Sequence, residues 1–298
     1  MLLFFLFLTL GFAYDLVVVN SLDYGDLVNG LDYAILSNSS MLFIPHNYNY
    51  DILTLKIGTN RTIFYIEGNP ISLAFRNYTL SSNNATFFQS NSSVATNHLF
   101  YQHFQPKKVV VANYYYPDYV VTLFPFAIHE GVFILLVDEN VSALQQLLDS
   151  YPPEELYVFG PMSTQVQEYL AQKGAQVIGT LGEDRYQDNI ALFDFYYNPE
   201  RFNYMALVAS GEEVEESMVT NASLPILLVG DLVPSVIYEK IKDLAKKGDL
   251  KGVYIFERKL VTPVYNMKKK LEEELRPILG EDWKFGLLLK YGEAIVSE

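Results

Sequence analysis

One offset constrains this chain more than any other property. Sliding the sequence by about 92 residues lays Leu16-Val17-Val18-Val19-Asn20 on Lys108-Val109-Val110-Val111-Ala112, the self-similarity expected of a repeated structural unit. Without a gap, the same offset puts Asp26 on Asp118, Met41 to Pro45 on Phe133 to Val137, and Phe64-Tyr65-Ile66-Glu67-Gly68 on Leu156-Tyr157-Val158-Phe159-Gly160. A further offset of about 97 brings Ala206-Leu207-Val208-Ala209 onto the first run of the middle copy and Glu215 onto Asp118. Leu227 to Gly230 and Val253 to Phe256 supply the remaining two runs of a third copy. Apolar strands resemble one another by chance, but several matched in order at one offset do not.

The expected organisation is a leader at 1–13, then repeats at 14–104, 105–203 and 204–298. Each apolar run is continuous, not alternating, which is the pattern of strands buried on both faces of a parallel sheet. Helix-like spacers separate the runs, so the fold class is α/β: three tandem Rossmann-like three-layer modules with right-handed crossovers. The stretch from Arg76 to Ser93 is polar, sequon-dense and without clear period, and reads as an irregular decorated excursion with room for short strands. In the third repeat, Pro234 is expected just inside a helix that starts after Leu232. A charged helix from Val264 to Arg276 carries Lys268/Glu272 and Lys270/Glu274 at i,i+4. Phe285 to Tyr291 reads as a last strand, with Trp283 packing at its entrance.

Met1 to Leu10 is continuously apolar and is followed by Gly11-Phe12-Ala13, so a signal peptide cleaved after Ala13 is expected, although the segment has no Lys or Arg. Its length falls short of the roughly 20 residues that span a bilayer. The chain has no cysteine, which excludes thiol catalysis, thiolate metal sites and disulfides. A cysteine-free exported chain dense in Glu and Lys from Lys240 to Arg276 is compatible with a heat-adapted, archaeal or thermophilic, source. The net charge of −14 disfavours nucleic acid and other polyanions as partners. N-x-S/T sequons stand at Asn38, Asn60, Asn77, Asn84, Asn91, Asn140 and Asn221, most of them in the nearly uncharged first repeat. Glycans at such sites need exposed loops of an exported protein.

Enzyme motifs are missing. The sequence has no Walker phosphate loop, no G-x-G-x-x-G after a strand, no G-x-S-x-G elbow and no H-E-x-x-H. Of its histidines, His46, His98, His103 and His129, only His98 and His103 come near metal-ligand spacing, and five residues apart they share a helix face poorly, so all are expected to be solvated or capping. No catalytic residue, metal or cofactor is expected. The acids Asp26, Asp118 and Glu215 recur just after each first strand, where open α/β sheets gather functional loops. They are either a repeated ligand-contacting set or acids that cap the following helix and favour its dipole. Glu212, Glu213 and Glu216 extend the third of these corners.

The middle repeat closes with Gly182-Glu183-Asp184-Arg185-Tyr186 and a helical segment, which resembles the G-x-D-R-Y signature that ends the cell wall binding type 2 repeat. Pro117-Asp118, Gly131, Ile134 to Asp138 and Leu156 to Gly160 agree with that family's upstream elements, with Pro161 in place of its usual second Gly. The first repeat has Ser92-Ser93-Val94 where Asp-Arg-Tyr would fall, and the third ends in an unrelated segment around Trp283. The resemblance implies three modules packed in a pseudo-threefold arrangement, serving as a noncovalent envelope or surface-layer component. It implies as partner an envelope polymer, a glycan or another surface protein, with self-assembly into a lattice or filament as a further option. On physical grounds, Arg185 is expected to pair with an acid of a neighbouring copy, while Tyr186 buries its ring between modules; direct ligand contact is the other reading. A glycan- or solute-binding receptor is the alternative function, with Tyr114-Tyr115-Tyr116 suited to sugar stacking. An envelope hydrolase ranks last for want of a nucleophile or metal.

Overall fold

A computed structural model of the chain describes residues 14–44, 49–138, 140–210, 224–255, 257–291 and 294–297. The expected signal peptide, the Glu212 to Glu216 corner with Glu215, the sequon Asn221 and His46 lie outside the described residues.

Strand and helix alternate from the start. The first repeat runs β1 (Leu16–Asn20), α1 (Tyr24–Ser37), β2 (Ser40–Phe43), α2 (Tyr50–Ile57), β3 (Thr62–Glu67), α3 (Leu73–Ser82), β4 (Asn84–Gln89) and α4 (Ser93–Phe104). The second runs β5 (Lys108–Asn113), α5 (Pro117–Thr122), α6 (Phe124–Glu130), β6 (Phe133–Val137), α7 (Val141–Ser150), β7 (Glu155–Phe159), α8 (Thr164–Gln172), β8 (Gln176–Ile178) and α9 (Arg185–Tyr196). In the third, β9 (Met205–Ala209), β10 (Ile226–Leu228), α10 (Ser235–Lys247), β11 (Gly252–Ile255), α11 (Val261–Leu279), β12 (Gly286–Tyr291) and β13 (Ala294–Ser297) follow.

Three sheets result, ordered β2-β1-β3-β4, β6-β5-β7-β8 and β10-β9-β11-β12-β13. The neighbours β1–β2, β1–β3, β3–β4, β9–β10, β9–β11 and β11–β12 all pair parallel, and among the described residues only β13 joins antiparallel, onto β12. Every residue of β1 and β6 is buried, which explains their unbroken apolar runs. By contact density the chain divides into two compact units. One comprises Met1–Tyr115, Glu130–Leu156 and Gln165–Gly174, and the other Tyr116–His129, Tyr157–Thr164 and Ala175–Glu298.

In the first unit, Leu16, Val18, Ile63 and Tyr65 of the sheet pack with Leu53 and Ile57 of α2 and Phe75 of α3. The expected excursion does contain a short strand, β4, but it is regular and not irregular, since the helix α3 leads into it. Its polar composition reflects position: α3 shows most of its surface to solvent and β4 is the sheet's last strand, so only Phe75, Thr79 and Phe88 needed burial.

In the second unit, α10 buries Ile237, Tyr238, Ile241, Leu244 and Ala245, and α11 buries Val264, Met267, Leu271 and Leu275, both at helical spacing. Gly248 ends α10 in the left-handed region at φ 79, its N–H turned back to Ala245 and Leu244. Pro234 sits one residue before α10, not inside it. Lys270 and Glu274 pair at 3.9 Å as the spacing predicts, but Glu272 turns to Arg276 and not to Lys268. Trp283 packs against this core at the entrance to β12. Replacing Leu271, which is fully buried, with Ala should cost about 2–5 kcal/mol through lost transfer energy and a cavity, read as a lower urea midpoint.

Candidate functional site

The carboxyl ends of the first and third strands of a doubly wound sheet flank the usual ligand crevice. In the first module that place is filled by Asn20 and Glu67, paired across β1 and β3 and both buried. Asn20 Nδ2 donates to Tyr65 Oη at 2.8 Å, Glu67 Oε2 at 3.2 Å and the Ser72 carbonyl at 2.8 Å, and its Oδ1 accepts from the N–H groups of Ile71 and Ser72. Burial pushes the Glu67 carboxyl up, opposed by Arg76, whose Nη1 lies 3.3 Å from Oε1. The third module places a buried acid one residue further along the same strand pair. Glu257, also buried, accepts from the Ser210 N–H at 2.7 Å and from Ser210 Oγ at 2.5 Å, with Lys259 Nζ 3.5 Å away. The middle module has Phe159 at this point. The sequence signal for these acids is an acid closing an apolar run, in Ile66-Glu67 and near Ile255 in Glu257.

Of those acids, Asp26 is buried and sits in the first turn of α1 without capping it; Asp23 is the cap, accepting from the Gly25 N–H. Asp26 accepts from Ser21 Oγ at 2.6 Å and Ser90 Oγ at 2.5 Å, and burial pushes its carboxyl up. With Asp23 and Asp26 at its amino end, α1 cannot serve as an anion cradle. In the middle module the same corner is held from the other side. Asp188 of α9, fully buried, accepts from the Thr180 N–H, from Thr180 Oγ1 at 2.8 Å and from the Gly182 N–H at 2.7 Å. Asp118 is left nearer the surface, in the first turn of α5.

The Gly-x-Asp-Arg-Tyr segment acquires a role residue by residue. Gly182 adopts φ +97, and a Cβ there would meet Pro161 Cγ at 2.6 Å, so the position takes only glycine. Asp184 caps α9, accepting from the N–H groups of Tyr186 at 2.8 Å and Gln187 at 3.2 Å. Ser92 takes the equivalent capping place on α4. Arg185 lies 3.5 Å from Asp118, an acid of its own copy and not of a neighbouring one as expected, because the first turns of α9 and α5 meet inside the middle module. It also donates to Tyr186 Oη at 2.9 Å, its guanidinium 4.8 Å from that ring's centroid. Tyr186 packs against the core of the third module, its hydroxyl above Gly230.

The strongest repeated contact was missed from sequence. Asn97 of α4 donates to the Ile134 carbonyl at 3.0 Å and accepts from the Leu136 N–H at 2.8 Å. Asn189 of α9 does the same to Ile226 at 3.0 Å and Leu228 at 2.9 Å. Both asparagines are buried, and each seals the outer edge of the next module's end strand. The first of these seals has further members: Asp32, fully buried, accepts from the Ile134 N–H at 3.0 Å, and His98 Nε2 bonds the Leu136 carbonyl at 2.9 Å. His98 is thus neither solvated nor capping, and burial holds its pKa down. The offset between Asn97 and Asn189 equals that of the strands, so a search for repeated polar residues on helices would have found them.

The sequon asparagines Asn38, Asn60, Asn77, Asn84, Asn91 and Asn140 are all exposed. Asn140 caps α7 through Ala143. Tyr114 stacks on Tyr24 with centroids 5.2 Å apart and donates to Asp23, whereas Tyr115 is 60% exposed.

No protein-family model matches the sequence, and no curated protein does. Solved structures do match. The Clostridium difficile cell wall protein Cwp8 aligns over 87% of this chain with a TM-score of 0.65 at 14% identity, and Cwp6 over 81% with a TM-score of 0.58 at 16% identity. This chain has their fold. It spans 47% of Cwp8 and 40% of Cwp6, less than half of either. The α/β modules common to all three are consistent with the resemblance of the middle repeat to the cell wall binding family.

Replacing Asn189 with Leu would strand the Leu228 N–H and the Ile226 carbonyl and should cost about 2–5 kcal/mol. Replacing Asp118 with Asn should cost about 1 kcal/mol or less, because the pair is partly exposed to solvent and 3.5 Å apart. Urea unfolding of the two variants beside the parent measures both.

Proposed function

We propose that this protein is an exported, non-catalytic cell-surface component that attaches noncovalently to the envelope through its tandem modules. The observation that carries the reading is the fold held in common with Cwp8 and Cwp6 over most of this chain, joined to the Gly-x-Asp-Arg-Tyr segment of the middle repeat. A leader removed after Ala13 would supply export, and the exposed sequon asparagines would carry glycans. Among the described residues no helix is long and apolar enough to cross a membrane. Attachment then rests on contacts with envelope material.

The self-satisfied carboxyl ends support a binding role over a reaction. Glu67, Glu257, Asp26 and Asp188 each spend their oxygens on neighbouring donors of the chain. With a net charge of −14, a neutral glycan or a protein surface suits this molecule better than a polyanionic polymer. The exposed ring of Tyr115, just beyond β5, favours a second reading as a receptor for soluble sugars.

Sedimentation with purified envelope fractions separates the two. The attachment reading expects the protein in the pellet at low salt, with retention surviving high salt if the ligand is neutral. Release by soluble sugars at millimolar concentration would point to the receptor. Absence from every pellet would remove the attachment reading.

A further inference from the structure

We propose that N-linked glycans at Asn84 and Asn91 guard the open edge of the first sheet, holding β4 out of strand pairing with other molecules. The inference rests on the glycan part of the proposed function and not on envelope attachment.

A sheet edge exposes unpaired N–H and C=O groups that template pairing with another chain, and proteins blunt it by shortening, covering or charging the strand. Three of the ends of the other sheets use such devices: β6 and β10 are sealed by Asn97 and Asn189, and β8 has three residues. The third sheet's remaining end is the four-residue antiparallel β13. β4 has none of them. It is six residues long, at the end of the order β2-β1-β3-β4, and among the described residues no strand pairs with its outer side. Asn84, Phe87 and Gln89 are exposed. Its sequence, Asn-Ala-Thr-Phe-Phe-Gln, has no proline and no charge, and no Asp, Glu, Lys or Arg occurs between Arg76 and Lys107. A six-residue uncharged segment with β-branched and aromatic residues is the signature of a strand prone to intermolecular stacking.

The devices that do stand there are sequons. Asn84 is the first residue of β4 and Asn91 lies two beyond its last, both exposed. Among the described residues, neither side chain makes a hydrogen bond that a glycan on Nδ2 would break: it is the Asn84 backbone N–H that goes to the Arg61 carbonyl, which leaves the side-chain amide to project. A branched sugar at each end of a six-residue strand excludes an incoming strand sterically, doing the work that lysine does on other edges.

Peptide mapping by mass spectrometry of the protein recovered from the cells that make it should find hexose-bearing peptides at Asn84 or Asn91; bare asparagine at both overturns the proposal. Association is then measured by light scattering on the glycosylated protein, on Asn84→Gln/Asn91→Gln, and on Asn84→Lys/Asn91→Gln, which lacks both sugars but charges the edge. The expected result is a concentration-dependent rise in mass for the double Gln variant alone, with the lysine-bearing variant as monodisperse as the glycosylated protein. A double Gln variant that stays monodisperse, or association that the Asn84→Lys change does not reverse, contradicts it. Envelope sedimentation of the same samples keeps the two questions apart, since attachment can fail while the edge effect stands.

Discussion

Asn97 and Asn189 carry one physical task that the rest of the architecture depends on. A parallel sheet ends in a strand whose outer N–H and C=O groups have no neighbour, and in a buried setting each such group costs free energy comparable to a lost hydrogen bond. An asparagine amide has one acceptor and one donor head to match a C=O and the N–H two residues on. By offering them from the last helix of one repeat to the end strand of the next, the chain buries β6 and β10 without adding a strand. A helix that both closes its own module and completes the next is what makes the repeats tandem in a physical sense. The first of the two seals is the more polar, with Asp32 and His98 beside Asn97.

The same economy explains the carboxyl ends of the sheets. Doubly wound folds leave a crevice there, and many fill it with a ligand. Here the crevice of the first module is filled by Asn20, Glu67 and Arg76, and that of the third by Ser210, Glu257 and Lys259. The Gly-x-Asp-Arg-Tyr segment belongs to this pattern of internal closure. Its glycine makes a turn no other residue allows, its aspartate caps α9, and its tyrosine lies on the next core. Surfaces remain for recognition, chief among them the exposed tyrosine after β5 and the sequon-rich first module.

Much of the fold was legible because burial on both faces writes continuous apolar runs. β1, β5, β6, β9 and β11 announced themselves that way, and the fixed offset ordered them. β4 and β8 did not, since an end strand that no neighbouring helix seals buries little: β4 is half polar and β8 has three residues. The site was less legible. Asp26 and Asp118 stand out by recurrence, yet recurrence of sequence did not preserve role, because Asp188 took over in the middle module what Asp26 does in the first. Arg185 was placed across a boundary on the strength of its chemistry, whereas its acid partner lies within its own copy. Asn97 and Asn189 repeat at the strands' own offset, yet a polar residue on a helix shows nothing of its role until the strand edge it meets is known.

Hydrogen exchange at the backbone amides of Leu136 and Leu228 tests the central claim most directly. Both lie on the outer edge of a sheet, where amides ordinarily exchange fast, and both donate to an asparagine of the preceding repeat. The account predicts that they exchange as slowly as the amides of the central strands β5 and β9, and that Asn97→Leu and Asn189→Leu each release the matching amide first. Exchange at the rate of an open edge in the parent protein would contradict it.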